Sequence, residues 1–440
     1  MTIWQEQYRA KVISLEEGLS KIKDNDQIIC GLSGSEPRYI LRHLHTIADR
    51  VKNVTVVNCL PLENYEFFMN PQYKESFFTE GWYYSPGLRK AHPQSNVSHI
   101  PCHLHLAARK RLFHRKCNVF LGIATPPDKY GFMSLSLGVT YEREVMENAD
   151  LVILQVNEKL PRTFGDTIIH VSDVDYVVEH TEDLPLLPSA PSEEKDEIIG
   201  KYIAELVEDG STIQLGIGGI PNAVAKELRE KRDLGIHTEM FVDGMVDLYE
   251  AGAVTGRKKG LLPGKMVATF VLGTQRLYDF VHDNPGVVLM NGCWTNDPYV
   301  ISQNHKMVSI NTTLEVDLTG QCCSESIGHR QFTGTGGQSD TATGAQKSPG
   351  GKSIIALHST AEIKDPVTGE KKIISKIVPR LTPGAVVSLS RNDVDYVVTE
   401  YGIASLRGTS VRERVKRLIA VSHPDFRSWL QKESQELMIW

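Results

Sequence analysis

Residues 211–252 read STIQLGIGGIPNAVAKELREKRDLGIHTEMFVDGMVDLYEAG. An apolar run meets a cluster of glycines, a helical pattern follows with Pro221 near its start, and Gly235 lies past its end. A second short apolar run then leads through Glu239 to another helix, for which Asp243 is the expected N-cap. The stretch therefore predicts strand, glycine turn, helix, strand, helix, with the two strands parallel. Ligands of open α/β sheets bind at the carboxyl ends of such strands, where one end here carries Gly216–Gly219 and the other carries Glu239. Backbone amides of the turn are expected to face that carboxylate and to hold an anion or acyl group on which it acts.

Outward from this stretch, the first half alternates in the same way. A helix around Leu15–Ile22 precedes a strand at Gln27–Leu32, the turn GLSGSEP at Gly31, the helix RYILRHLHTIADR and the strand VTVVNCL. That order is βαβ, and it implies a parallel sheet with right-handed crossovers. CNVFLGIATPPD and ADLVILQVN read as further buried strands. Between Thr181 and Lys195 the sequence TEDLPLLPSAPSEEK loses apolar periodicity, which marks a linker. The second half repeats the first. DVDYVV occurs at Asp173 and again at Asp393, preceded by PRTFGDTIIHVS at Pro161 and PRLTPGAVVSLS at Pro379, and GLSGSEP at Gly31 parallels GIGGIPN at Gly216. The fold class that follows is α/β, two duplicated open α/β domains with mainly parallel sheets, over residues 1–192 and 193–440.

The repeat is offset by 185 residues at the glycine turns and by 220 at DVDYVV. The surplus falls around Gln331–Lys352, QFTGTGGQSDTATGAQKSPGGK, which is expected to be an irregular loop whose GTGG amides close over a ligand. The repeat also isolates Glu239, because the first half has Val57 or Asn58 at the corresponding place. One active site in the second domain is therefore expected, the first domain completing its walls. Glu315 is expected to end a strand as a wall or orienting residue.

Composition narrows the function. With 41% hydrophobic and 23% charged residues, the chain has the make-up of a soluble globular protein, and its net charge of −6 argues against nucleic acid or an anionic membrane as partner. The polar, amphipathic start lacks the apolar core of a signal peptide and no run approaches a membrane span, so a cytoplasmic protein is expected. Seven scattered cysteines fit reduced thiols. His99, Cys102, His103 and His105 lack a second cluster that would complete a ligand set, and no metal is expected.

Read alone, Glu239 has three possible roles: general base, metal ligand or nucleophile. GIGGIP does not have dinucleotide spacing, since Pro221 and Asn222 stand where a third glycine belongs, and no Walker lysine follows. The ordered set GIGGIPNAV, HTEMFVDGMVDLYEAGAVTG, VDLTGQ, FTGTGGQSD and VVTEYGIASLRG resembles the acetyl-CoA hydrolase/transferase family across essentially the whole chain. The resemblance implies a CoA-transferase-like fold and exchange of CoA between a short-chain acyl-CoA, 4-hydroxybutyryl or butyryl, and a carboxylate such as acetate. It implies Glu239 as nucleophile, CoA as substrate with no bound cofactor, CoA contact at Gly216, Ile217, Gly218, Gly219, Ile220, Gly336, Gly337 and Gln338, and a homodimer or higher homo-oligomer. Acyl-CoA hydrolysis is the nearest alternative, and a non-catalytic CoA-binding protein is the alternative from another class.

Overall fold

The computed structural model describes residues 2–364 and 369–440. Its packing divides the chain into two compact units. The first holds the residues up to Pro188 together with Glu239–Val242 and Lys265–Asn296; the second holds Ser189–Thr238, Asp243–Gly264 and Asp297–Trp440. The boundary at Pro188 lies inside the proline-rich stretch, where no helix or strand forms between Glu179 and Glu194. Two later segments, Glu239 among them, leave the second half of the sequence to pack with the first unit. The division expected at 192/193 does not include that excursion.

Among the described residues, the first unit is built on a seven-stranded sheet. In spatial order its strands are Tyr176–Glu179, Leu151–Val156, Val119–Ala124, Gln27–Cys30, Val54–Asn58, Phe77–Gly81 and Val97–His99, all parallel. Val119–Ala124 is buried along its whole length, which accounts for a continuous apolar run instead of alternation. From Gln27–Cys30 the chain first proceeds to one side and later returns to the other, so the switch point lies between this strand and Val119–Ala124. Phe77–Gly81 and Val97–His99 were not read from the sequence, since each is a short strand in which one or two apolar residues are followed by polar ones.

The second unit carries a six-stranded sheet in the order Gly235–Ile236, Thr212–Leu215, Met307–Thr312, Lys352–Ala356, Tyr396–Thr399 and Gly402–Ser405, parallel except for the last pair. Its switch point lies between Thr212–Leu215 and Met307–Thr312. The duplicated DVDYVV has one structural cause in both units. A 3₁₀ turn, Val171–Asp173 or Arg391–Asp393, delivers the next aspartate to the amide of the neighbouring strand. Asp175 Oδ2 accepts from Val152 N at 2.8 Å, and Asp395 Oδ2 accepts from Ser353 N at 3.0 Å.

The expected irregular loop at Gln331–Lys352 is corrected by the helix Gln338–Lys347 within it. Small residues misled the reading. Ala345 packs with Ile301 and Met307, and a Cβ on Gly344 would lie 2.5 Å from Ile301, so close approach of this helix to its neighbour requires a sequence that resembles low-complexity loop. Glu315 begins the strand Glu315–Asp317 instead of ending one, and accepts from Thr382 N at 2.9 Å and Thr382 Oγ1 at 2.7 Å. Asp243 is the first residue of the helix Asp243–Glu250.

Candidate active site

In the second unit the two glycine segments stand at the carboxyl ends of two adjacent strands of the six-stranded sheet. The first follows Thr212–Leu215 directly and starts the helix Gly219–Glu227. Gly218 has φ +114°, a conformation that disfavours any side chain, and a Cβ on Gly219 would lie 2.2 Å from Asp196 Oδ2. Asp196 is held in turn, accepting from Glu193 N at 2.9 Å and pairing with His358 Nε2 at 2.7 Å. Ile217 is exposed while Ile220 is buried. The second segment, with φ +54° at Gly336, runs through Gly337 into the helix that begins at Gln338. Gln338 Nε2 donates to Thr312 O at 2.8 Å, which ties this segment to the end of the strand beside Thr212–Leu215. Below both, Gln214 Oε1 accepts from Ser309 Oγ at 3.1 Å and from Ile310 N at 3.2 Å, bridging the two strands. Gly216, Ile217, Gly218, Gly219, Ile220, Gly336, Gly337 and Gln338 are thus gathered by one sheet.

Glu239 is placed differently, in the first unit. Met240–Phe241 pairs in parallel with Phe270–Val271, and Phe241 stacks on Phe280. The Glu239 carbonyl accepts from Thr269 N at 2.8 Å, Phe270 N at 3.2 Å and Thr269 Oγ1 at 3.0 Å. Its carboxylate Oε2 accepts from Nδ2 of the buried Asn296 at 3.2 Å. Backbone and side chain are both anchored. No sequence signal marked Asn296, which follows a short helix, Gly292–Thr295, in a polar loop.

From Glu239 a chain of contacts leads to the switch point of the seven-stranded sheet. Thr269 shares a hydrogen bond with Thr140 Oγ1 at 2.9 Å and accepts at its carbonyl from Val139 N at 2.9 Å. Just beyond, the buried Glu142 accepts from Leu32 N at 2.7 Å and from Tyr141 N at 2.9 Å. Tyr141 donates to Cys30 O at 3.0 Å. Burial raises the pKa of the Cys59 thiol, and the charges of Cys102, Glu239, Glu142 and Glu36 raise it further, so Cys59 lies within electrostatic reach of Glu239. Glu36 is buried too. Burial pushes its carboxyl up to about 8 despite hydrogen bonds from Leu62 N and Tyr65 Oη, each 3.1 Å, and it is neutral at pH 7.

His103 precedes the 3₁₀ turn Leu104–Leu106 and His105 lies within it, and among the described residues no group of three or more His, Cys, Asp or Glu is arranged to hold a metal. Among the same residues no helix is long and apolar enough to cross a membrane. All seven cysteines are unbridged.

Residues 2–188 match the acetyl-CoA hydrolase/transferase N-terminal domain, and residues 273–434 match the C-terminal domain of the same name. The chain is 42% identical to a succinyl-CoA:cyclohexane-1-carboxylate CoA transferase of Geobacter metallireducens, over 99% of this chain and 97% of that one. It is 41% identical to a 4-hydroxybutyrate coenzyme A transferase of Clostridium kluyveri, over 98% of each. The crystal structure of RipA from Yersinia pestis superposes with a TM-score of 0.92 over the whole of both chains, at 32% identity.

Proposed function

The chain belongs to the acetyl-CoA hydrolase/transferase family, and on that premise we propose that it exchanges CoA between a short-chain acyl-CoA and a carboxylate, with Glu239 as the nucleophile. The observation that carries this reading is the double anchoring of Glu239, by three donors at its backbone carbonyl and by Asn296 at its carboxylate. A carboxylate is a weak nucleophile, and fixing it against an incoming thioester removes much of the entropic barrier to attack.

In the first step a Glu239 oxygen adds to the thioester carbonyl of the acyl-CoA. The tetrahedral intermediate collapses with loss of CoA thiolate, leaving a mixed anhydride between Glu239 and the acyl group. The thiolate then attacks the Glu239 carbonyl carbon, the donor acid departs as its carboxylate, and CoA is left joined to Glu239 as a thioester. An acceptor carboxylate reverses both steps. Each addition places negative charge on a carbonyl oxygen, and backbone amides are the donors suited to it. Gly216–Ile220 and Gly336–Gln338 are assigned here to CoA contact and to that role. CoA is a substrate in this scheme and no resident cofactor takes part. Acyl-CoAs and short-chain carboxylates are the small-molecule partners, 4-hydroxybutyrate or butyrate paired with acetate being the expected set. A cytoplasmic homodimer or higher homo-oligomer is the expected setting, which light scattering of the purified protein tests.

The deciding experiment is peptide mass spectrometry after incubation with butyryl-CoA, without acceptor, and borohydride trapping. A glutamyl thioester is reduced to the alcohol, so the mass of the Glu239 peptide changes. An unmodified peptide with butyryl-CoA consumed supports direct hydrolysis instead. Dependence of CoA-ester consumption on added acetate separates transfer from hydrolysis independently.

A further inference from the structure

If the turn Gly216–Ile220 holds CoA, as the transferase reading has it, a carboxylate stands where its charge works against that role. The helix Gly219–Glu227 starts in the turn, so its first amides and the positive end of its dipole are offered to an anion. Asp196, in the first turn of the helix Glu194–Leu206, is buried and packs so close behind that a Cβ on Gly219 would lie 2.2 Å from its Oδ2. A full negative charge at that place repels a phosphate or a developing oxyanion held by the same backbone.

One group answers that charge. His358 Nε2 lies 2.7 Å from Asp196 Oδ1, while Asp196 Oδ2 accepts from Glu193 N at 2.9 Å. His358 comes from the loop after the strand Lys352–Ala356, and its side chain is 28% exposed against 6% for Asp196, so protons reach the pair from the histidine side. The other charges nearby are matched among themselves. Lys195 lies 3.4 Å from Glu400, which also accepts from Ser359 N and Ser359 Oγ at 2.8 Å each, and Lys376 is within electrostatic reach of the same carboxylate. Glu197 pairs with Lys226 at 3.0 Å, and Glu193 and Glu194 complete the charges at this helix start. Neutral groups also grip the turn. Ser192 Oγ donates to Gly219 O at 3.4 Å, and Asn222 Nδ2 donates to Ala190 O at 2.8 Å and to Ser189 Oγ at 2.9 Å. The shape of the turn therefore does not rest on the charge of Asp196 alone.

We propose that Asp196 and His358 are a positioning pair for the CoA-binding turn, in which His358 holds a proton against Asp196 while CoA is bound, so that CoA binding takes up a proton. With imidazolium in place the pair is neutral as a whole, and the amides and helix dipole meet an anion unopposed. With neutral imidazole the carboxylate charge remains behind the turn, and CoA binds more weakly. Histidine ordinarily titrates between pH 5 and 8, so both states are within reach near neutral pH. The effect falls on CoA affinity and not on the chemical step at Glu239.

The test is calorimetric titration of the full chain with free CoA between pH 6 and 8.5, in buffers of different ionisation heat, which counts the protons taken up. CoA has ionisable groups of its own, so uptake is counted relative to His358→Gln, which keeps a donor toward Asp196 but has no proton to gain. The wild type is expected to take up an additional fraction of a proton and to lose roughly tenfold more affinity than this variant across the range. Asp196→Asn removes the charge and keeps an acceptor for Glu193 N, and it is expected to bind CoA more tightly than the wild type at pH 8.5. A role in packing alone predicts weaker binding by Asp196→Asn at every pH. That result, or equal proton uptake and equal pH dependence in the wild type and His358→Gln, overturns the proposal while leaving CoA transfer standing; if one variant does not fold, the other decides. Failure of the wild type to bind CoA at any pH removes the CoA reading of the turn, and this proposal with it.

Discussion

The turn after Gln27–Cys30 and the turn after Thr212–Leu215 stand at the same place in two related sheets, each beside its switch point. In the first unit Gly31–Pro37 is buried throughout, and a Cβ on Gly31 would lie 2.2 Å from Ser35 O. In the second, Gly216–Gly219 is partly or fully exposed, a Cβ on Gly216 meets nothing closer than Pro221 at 4.0 Å, and one on Gly218 meets nothing within 4 Å. Glycine serves the closed turn by letting backbone pack on backbone, with Ser33, Ser35 and Glu36 buried in it. It serves the open turn by leaving the backbone itself uncovered, which suits phosphate, thioester or oxyanion. Duplication of one fold has thus yielded a turn that is closed around buried side chains and a turn whose backbone is left open.

If both turns serve the same reaction, the greatest loss comes from the carboxylate at which that reaction takes place. Glu239→Gln is expected to lower transfer by roughly 10⁴-fold or more while acyl-CoA binding, followed by calorimetry, is retained. Near-normal transfer in this variant would leave the two turns without a common nucleophile.

The contrast between closed and open turns is then sharpened by one substitution made twice. Gly31→Ala places a methyl group against a backbone carbonyl and is expected to cost about 3 kcal/mol in urea unfolding. Gly216→Ala has room for its methyl group and is expected to change stability by less than ~1 kcal/mol, its effect showing instead as a raised KM for acyl-CoA. Equal destabilisation by the two would mean that the turns do not differ as described.

A smaller effect separates the turns by pH. The native Glu36 carboxyl titrates at about 8, above the ordinary glutamate range, so between these values the folded protein keeps a proton that the unfolded chain releases. Stability contributed at this site is therefore greatest in acid and falls as pH rises toward 8. Between pH 6 and 8 the loss is on the order of 2 kcal/mol, and Glu36→Gln is expected to remove that slope from urea midpoints measured across the range. The glycines of the open turn carry nothing to titrate.

What was legible in the sequence follows the same division. The glycine turns, the parallel strands and the DVDYVV duplication could be read because each is a local pattern with a local cause, as Asp175 and Asp395 show by binding equivalent neighbouring amides. The helix Gln338–Lys347 was hidden because tight packing selects small residues that look like loop. The packing of Glu239 with the first unit was hidden as well, because Met240–Phe241 pairs with residues thirty positions away through a strand too short to leave a period. Asn58 was marked only as a possible repeat counterpart of Glu239, and Glu36 carried no signal at all. A polar residue at a strand end is ordinary in sequence, and becomes informative only when its burial and its lack of partners are seen.

The smallest expected effect concerns Asn296, whose Nδ2 donates to Glu239 Oε2. Two consequences of that bond oppose each other. It holds the carboxylate in place, and a hydrogen bond to a charged group contributes roughly 1.5–3 kcal/mol, yet it also withdraws electron density from the attacking group. Positioning is expected to win by a modest margin, so Asn296→Ala should lower kcat about tenfold with little change in KM, a split that a general loss of folding would not give. Asn296→Asp sharpens the distinction, because it keeps the shape and replaces the donor with a second carboxylate. Like charges at this spacing disfavour ionisation of both groups, so activity in that variant should fall more at high pH than at low pH, whereas Asn296→Ala should show no such tilt. The same tilt in both variants would mean that Asn296 acts through packing alone.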